Sequence, residues 1–280
     1  VFAVEPGVVM GQLYHLYRIV VTGLSFTLFG VGGLVTGLLF FPLLAMLPGK
    51  PMVKERRAQR CVHLMFRGFV RFMELLWVTR VEVDKPERLA QARGCIIIAN
   101  HPCLLDVVVM ISVVPHTNCI VKQSLLRNPF MRWVIKAAGY IANDDPEYVV
   151  RDVKERLARG DNLIVFPEGT RTTPDNPISM QRGAARLILR NQAPVLPVTI
   201  RCTPTTLTKG TPWYHVAPRR FVIDLRVGEQ VNYAPDPELP ESLQVRQLTR
   251  RLEAGYNMEL HPNERTETGI EAADHRVLRT

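Results

Sequence analysis

Two short stretches hold residue types that could do chemistry together. The first is Asn100-His101-Pro102-Cys103-Leu104-Leu105-Asp106, and the second is Phe166-Pro167-Glu168-Gly169-Thr170-Arg171. An imidazole takes a proton readily near neutral pH, and a carboxylate beside it fixes which ring nitrogen carries hydrogen. Asp106 follows His101 by five residues, so the chain can fold back and bring the carboxylate to the ring. That is a base with its orienter but no nucleophilic side chain. Each stretch follows an apolar run, residues 95–99 and 162–165, that reads as a buried strand. Both therefore sit where a strand of an α/β sheet ends, the edge at which such folds bind ligands. Taken alone, the first stretch also reads as an ordinary helix cap.

Together, the two stretches resemble the glycerolipid acyltransferase superfamily, in particular the bacterial-type 1-acylglycerol-3-phosphate acyltransferases. That family carries an Asn-His, four residues, Asp motif and later a Phe-Pro-Glu-Gly-Thr-Arg motif; both stand here unaltered. Between them, Lys122, Pro129-Phe130, Trp133 and Gly139 look like the family's linking segment. After them, Arg182-Gly183-Ala184-Ala185 and Leu196-Pro197-Val198-Thr199-Ile200 look like its last two blocks, so the resemblance covers roughly residues 80–230.

The resemblance implies an enzyme that moves a fatty acyl group from acyl-CoA or acyl carrier protein to the hydroxyl of a lysophospholipid. His101 would be its base and Asp106 the orienter, with no metal and no other cofactor. It also implies that Gly169, Thr170 and Arg171 bind the phosphate of the acceptor. The residue types suit this, since glycine lets the backbone approach an anion and a guanidinium fork matches phosphate. Glu168 belongs to that site or else pairs with Arg171 to brace the loop. Lys122, at the end of a strand, either faces the site or is a solvated surface lysine.

Two features depart from the family's pattern. Where it commonly shows an Asp-Arg pair, this chain reads Gly139-Tyr140-Ile141-Ala142-Asn143-Asp144-Asp145, an acid in place of a base. The expected acceptor therefore widens to a lysolipid of another headgroup or another hydroxylated lipid. Pro212-Trp213-Tyr214-His215 through Pro218-Arg219-Arg220 looks like an insertion without an assigned role.

The rest of the chain narrows the chemistry. Seven histidines are scattered without metal-ligand spacing, and no G-x-S-x-G elbow marks a serine hydrolase. A thioesterase or lipid hydrolase that uses His101 to activate water is the alternative enzyme. The five cysteines have no CxxC spacing and mostly lie in apolar runs, as buried thiols of a reducing compartment do. Cys103, inside the first motif, is the one thiol placed to act as a nucleophile.

The formal net charge is +9, and residues 1–80 hold nine Lys and Arg against three Glu. A basic cluster beside an apolar segment suits anionic lipid headgroups, and no nucleic-acid reader motif accompanies it. Residues 19–47 contain no charged side chain. As one helix this run would extend about 43 Å, against a hydrocarbon core of about 30 Å. It is expected to tilt as a span or to break into a shallow hairpin, with Gly32-Gly33 and Pro42 as break points. Lys50, Lys54, Arg56, Arg57 and Arg60 follow it, so the positive-inside bias puts the later chain on the cytoplasmic side of a membrane.

The elements expected to position the motifs come next. Residues 52–78 carry an amphipathic pattern with a basic stripe, fitting a helix on a membrane surface or against a core. Strands are predicted at 81–83, 95–99, 118–121, 139–142, 162–166, 195–200 and 221–227. Helices are predicted at 104–113, 125–138, 147–158, 179–189 and 241–260. This alternation predicts an α/β fold, a mainly parallel mixed sheet covered by helices, with an N-terminal membrane helix. The expected layout is an anchor over 1–50, a basic amphipathic helix over 51–80, an acyltransferase domain over 81–260 and a polar tail over 261–280.

Overall fold

A computed structural model describes residues 6–128, 131–143, 145–173 and 176–261. The sequence positions 129–130, 144 and 262–280, which carry part of the family resemblance, half of the acidic pair and most of the expected tail, lie outside the described residues. The chain opens with α1 (Pro6–Val35), a π-helical turn (Thr36–Phe40), α2 (Phe41–Met46) and α3 (Pro51–Leu75). Then β1 (Thr79–Asp84), α4 (Pro86–Gln91), β2 (Ile96–Ala99), α5 (Asp106–Val113) and β3 (Thr117–Val121) follow. After α6 (Arg132–Ala138) come β4 (Ile141–Ala142), α7 (Pro146–Ala158) and β5 (Asn162–Val165). The described chain closes with α8 (Arg182–Asn191), β6 (Val195–Thr203), β7 (Phe221–Val227) and α9 (Glu241–Leu260).

The seven strands form one sheet in the order β1-β7-β6-β2-β5-β3-β4. Every neighbouring pair is parallel except β6 with β7, so the sheet is mixed and mainly parallel. Successive side chains of a strand point to opposite faces. On β2, Ile97 and Ala99 join the core under α3 and α5, while Ile96 and Ile98 join the core under α7, α8 and α9. Both faces are therefore covered, which is why these strands read as continuous apolar runs rather than alternating ones. The register pairs Ile98 with Val165. Adjacent parallel strands thus deliver both motifs to one edge of the sheet.

Two elements differ from the sequence expectation, and the short α4 was not predicted. The helix expected over 125–138 is a 3₁₀ turn, Gln123–Arg127, followed by the shorter α6. In the N-terminal run, Gly32 and Gly33 stay helical and the helix widens into the π turn at Thr36–Phe40 instead. Proline removes an N–H and crowds the carbonyl four residues back, so Pro42 sets the distortion in the turn before it. Of its two expected placements, the amphipathic α3 takes the one against the core: Ala58, Gln59, Val62, Phe69, Val70 and Met73 are buried, and Arg60, Arg67 and Arg71 remain exposed. Its buried glutamine is satisfied, since Gln59 Nε2 donates to Asn118 Oδ1 at 3.1 Å and to Ala138 O at 3.0 Å.

Arg18 does not flank the apolar run as a solvated charge. It is buried, with Nε donating to Ala217 O at 2.8 Å, Nη1 donating to Trp77 O at 3.4 Å and the guanidinium over the Tyr14 ring. Tyr17 Oη adds a bond to Leu76 O at 3.0 Å. One face of α1 is thereby clamped to the domain. The outward face shows Leu13, Leu16, Val20, Leu24, Leu28 and Val31, an exposed apolar stripe. From Gly11 to Met46 the helical run counts 36 residues, long and apolar enough to cross a membrane.

Candidate active site

The site is built at the carboxyl ends of β2, β5 and β6. Immediately after β2, the Asn100 amide acts as an extra peptide unit. Its Nδ2 donates to Ile200 O at 2.8 Å, and its Oδ1 accepts from Ile200 N at 2.6 Å. This fixes the chain direction entering the turn that carries His101. Asp106 then opens α5, fully buried, and its Oδ2 accepts from Cys103 N at 2.7 Å and from His101 Nδ1 at 2.9 Å. A carboxylate oxygen accepts, so the ring carries its hydrogen on Nδ1 and leaves the Nε2 lone pair free. The His101 ring lies against Phe166, centroids 4.7 Å apart, with its side chain 17% exposed. The His101 and Asp106 side chains meet, as their spacing predicted.

Burial raises the Asp106 carboxyl above its ordinary value, opposed by the bonds to His101 and Cys103. Oδ1 of Asp106 is buried and has no hydrogen-bond partner among the described residues. Such a charge is costly to bury, and its retention beside an imidazole is typical of a site rather than of a scaffold. Cys103 is fully buried, and its contact with the Cys202 thiol together with burial pushes its pKa well up. It stays a thiol, which removes it as a nucleophile.

The second motif closes over the first. Gly169 has φ +67° and its N–H turns back to Phe166 O at 3.2 Å, a left-handed turn that glycine adopts without strain. This turn presents Glu168 inward, where Oε1 accepts the backbone N–H of His101 at 2.6 Å and Oε2 accepts the Thr172 hydroxyl. Thr172 N returns a bond to His101 O at 3.1 Å. Burial raises the Glu168 carboxyl, opposed by the bonds from Thr172 and His101. Glu168 does brace the loop, but through His101 and Thr172 and not through an ion pair with Arg171.

Arg171 reaches across to the connection after β6. Its Nη1 donates to Leu207 O at 2.9 Å and to Thr208 O at 3.1 Å, and Leu207 O also accepts Leu104 N at 3.1 Å. Leu207 is buried and left-handed, φ +54°. Beside Glu168 opens a cleft of about 200 Å³, with Asn100, Pro102, Thr172, Arg201 and Cys202 in its walls. Thr170 is exposed. Lys122 directly follows β3, two strands from β2 on the same edge, exposed and without a side-chain bond among the described residues. Arg182 opens α8 and is exposed.

Asp145, the acid that stands where the family shows a base, caps α7 by accepting from Glu147 N at 3.0 Å and Tyr148 N at 3.4 Å. Sequence reasoning missed Thr172, Leu207 and Thr208. Thr172 directly follows the second motif, a usable signal, whereas a backbone carbonyl leaves none. Among the described residues, no three or more His, Cys, Asp or Glu side chains are grouped to hold a metal ion.

Residues 80–201 match the protein family described as Acyltransferase. The family match is confined to this stretch. It contains the His101–Asp106 pair and the whole of the second motif. Human 1-acyl-sn-glycerol-3-phosphate acyltransferase beta is 32% identical over 139 residues, 46% of this chain and 49% of that protein. The chain thus spans about half the length of that relative. The 1-acyl-sn-glycerol-3-phosphate acyltransferase of Borreliella burgdorferi is 26% identical over 186 residues, 62% of this chain and 74% of that one. In fold, the chain superposes on the 1-acyl-sn-glycerophosphate acyltransferase PlsC of Thermotoga maritima. The TM-score is 0.63 at 21% identity, covering 90% of this chain and 98% of that one.

Proposed function

We propose that the protein transfers a fatty acyl group from a thioester, acyl-CoA or acyl carrier protein, to the free hydroxyl of 1-acylglycerol-3-phosphate, giving phosphatidate. The observation that carries this is the His101 Nδ1–Asp106 Oδ2 bond of 2.9 Å at the carboxyl edge of the sheet. With Nδ1–H held by the carboxylate, Nε2 takes the acceptor's hydroxyl proton as its oxygen attacks the thioester carbonyl carbon. The tetrahedral intermediate collapses by breaking the C–S bond, and Nε2–H returns the proton to the leaving thiolate. Asp106 stays ionised and stabilises the imidazolium in between. His101, Asp106, Arg171 and the motif turn of Gly169 and Thr170 carry the reaction and the acceptor phosphate; Glu168 holds the two motifs in register. The mechanism uses no metal or cofactor.

The apolar α1–α2 run anchors the chain to the cytoplasmic membrane, with the domain on the cytoplasmic face. Support comes from the basic residues that follow the run and from the exposed apolar stripe beside the clamped face of α1. The deciding experiment supplies a labelled acyl thioester with and without lysophosphatidic acid. Thiol release that requires the acceptor and yields labelled phosphatidate is expected. Release at the same rate without acceptor makes the protein a thioesterase, and transfer to monoacylglycerol in preference would move the acceptor away from a phosphate monoester.

A further inference from the structure

The connection between β6 and β7, residues 204–220, is long and without regular structure, a form that loops take when they carry function. Its inner end holds the site: Leu207 O and Thr208 O seat Arg171, and Leu207 O seats Leu104. Its outer end does the opposite of burying its apolar residues. Trp213 is 46% exposed and Tyr214 50% exposed, set edge to face with centroids 5.8 Å apart. Trp213 is nonetheless held in place, and Tyr214 packs on it. A Cβ on Gly23 would lie 3.1 Å from the Trp213 ring, and Phe26 packs on it at 6.4 Å. Two residues of the same connection complete the grip. Ala217 O receives Arg18 Nε at 2.8 Å, and Arg220 stacks over the exposed Trp77 ring at 4.8 Å.

What these rings adjoin identifies their partner. The exposed stripe of α1 runs beside them through Val20, Leu24 and Leu28, on the segment long and apolar enough for a bilayer. Tryptophan and tyrosine, apolar in body and polar at the tip, favour the headgroup layer where one end is wet and the other dry. Arg219, exposed on the same loop, supplies positive charge matched to anionic headgroups.

We propose that Trp213 and Tyr214 form a lipid-contact site, entering the headgroup layer of the bilayer beside α1. The site sets the height of the cleft over the membrane. From Thr208 to Trp213 the chain advances five residues, at most about 18 Å even if fully extended. The Thr211 N–Thr208 O bond of 3.3 Å and the His215 N–Pro212 O bond of 3.0 Å fold it shorter. The seat of Arg171 therefore lies within about 18 Å of the two rings, within reach of a lysolipid that is still partly seated in the leaflet. This rests on the membrane reading above, and the test separates the two.

The full chain carrying Trp77→Phe and Trp133→Phe keeps Trp213 as its only tryptophan. Reconstituted into vesicles of dioleoylphosphatidylcholine and dioleoylphosphatidylglycerol, its emission is expected to shift to the blue. Brominated phosphatidylcholine with shallow bromines should quench it by about twofold or more, and deep bromines should quench it less, as for a headgroup-level ring. A parallel reporter, Leu28→Trp with Trp77, Trp133 and Trp213 all changed to Phe, reads the α1 stripe. Quenching of the Leu28 reporter without quenching of Trp213 overturns the proposal and leaves the membrane reading standing. If neither is quenched, both fall. A blue-shifted, unquenched Trp213 in a chain that sediments as a dimer would make the patch a contact between copies, and the proposal would be wrong.

Discussion

The carboxylate of Glu168 receives the backbone N–H of His101 at 2.6 Å. The two motifs are stitched at His101, the residue proposed as base, across a separation of 67 residues. The bond uses an oxygen that glutamine also possesses. Glu168→Gln should therefore keep most of the acyl transfer, while Glu168→Ala leaves a buried N–H without its acceptor and costs about 1–3 kcal/mol of stability. Urea unfolding and initial rates on both variants check this. Loss of activity in Glu168→Gln with unchanged stability would mean that the carboxylate touches substrate.

His101→Ala should lower acyl transfer by roughly 10²–10⁴-fold, the usual contribution of a positioned general base. Asp106→Asn should be comparably severe, because the amide no longer forces hydrogen onto Nδ1. Near-normal turnover in His101→Ala would sink the mechanism.

Asp106 also carries a stability signature. Its folded pKa lies above the ordinary 3.8, because burial disfavours the charge. Above pH 3.8 the unfolded chain releases this proton while the folded chain still holds part of it. The folded state then binds more protons, and this group's contribution to stability falls as pH rises through that window. Asp106→Asn should accordingly gain stability relative to the parent between acid and neutral pH, although it is nearly inactive. Denaturant midpoints of both proteins across that range measure it; a parent that gains on the variant as pH rises would show that the pair's attraction outweighs desolvation.

Arg171→Ala should raise the acceptor KM by about 10–100-fold, the range of one lost charge-assisted contact, with little change in donor KM. Arg171→Lys should recover part, since it keeps the charge but loses the guanidinium fork, of which Nη1 alone binds Leu207 O and Thr208 O. A monoacylglycerol acceptor, lacking phosphate, should feel the substitution less. A change in donor KM alone would move Arg171 to the thioester side.

Gly169→Ala tests the turn by itself. The added Cβ would meet only Gln181 Cγ at 3.7 Å, an ordinary contact, so the cost is the left-handed backbone at φ +67°. A loss of about 1 kcal/mol is expected, and less for Gly169→Asn. A thermal scan of the three proteins ranks them.

The chain should remain with membranes through high-salt washing and leave only with detergent, because apolar burial is not screened by salt. Full solubility of the intact chain in low salt would contradict the anchor.

Much of this architecture is written locally. The apolar runs ending at Ala99 and Val165, and the five-residue step from His101 to Asp106, depend on neighbours in sequence. Strand ends, motif order and the base with its orienter follow from them directly. The turn at Gly169 is local too, since a glycine after Glu168 permits the positive φ found there. Even so, one local reading went astray: Gly32 and Gly33 stay helical, because a missing N–H at Pro42 perturbs a helix more than two flexible residues do.

What only the tertiary structure decided are the partners that lie far along the chain. Arg18 finds Ala217 O at a separation of 199 residues, and Arg171 finds Leu207 O at 36. Both acceptors are backbone carbonyls, which every residue carries and no side-chain pattern advertises. Glu168 likewise reads as a partner for the adjacent Arg171 until the register of β2 against β5 brings His101 N–H within 2.6 Å. Side-chain type and spacing determine which chemistry is present, because they act within a few residues. Sheet register and loop packing decide which group each charge faces, because burial is a property of the assembled chain.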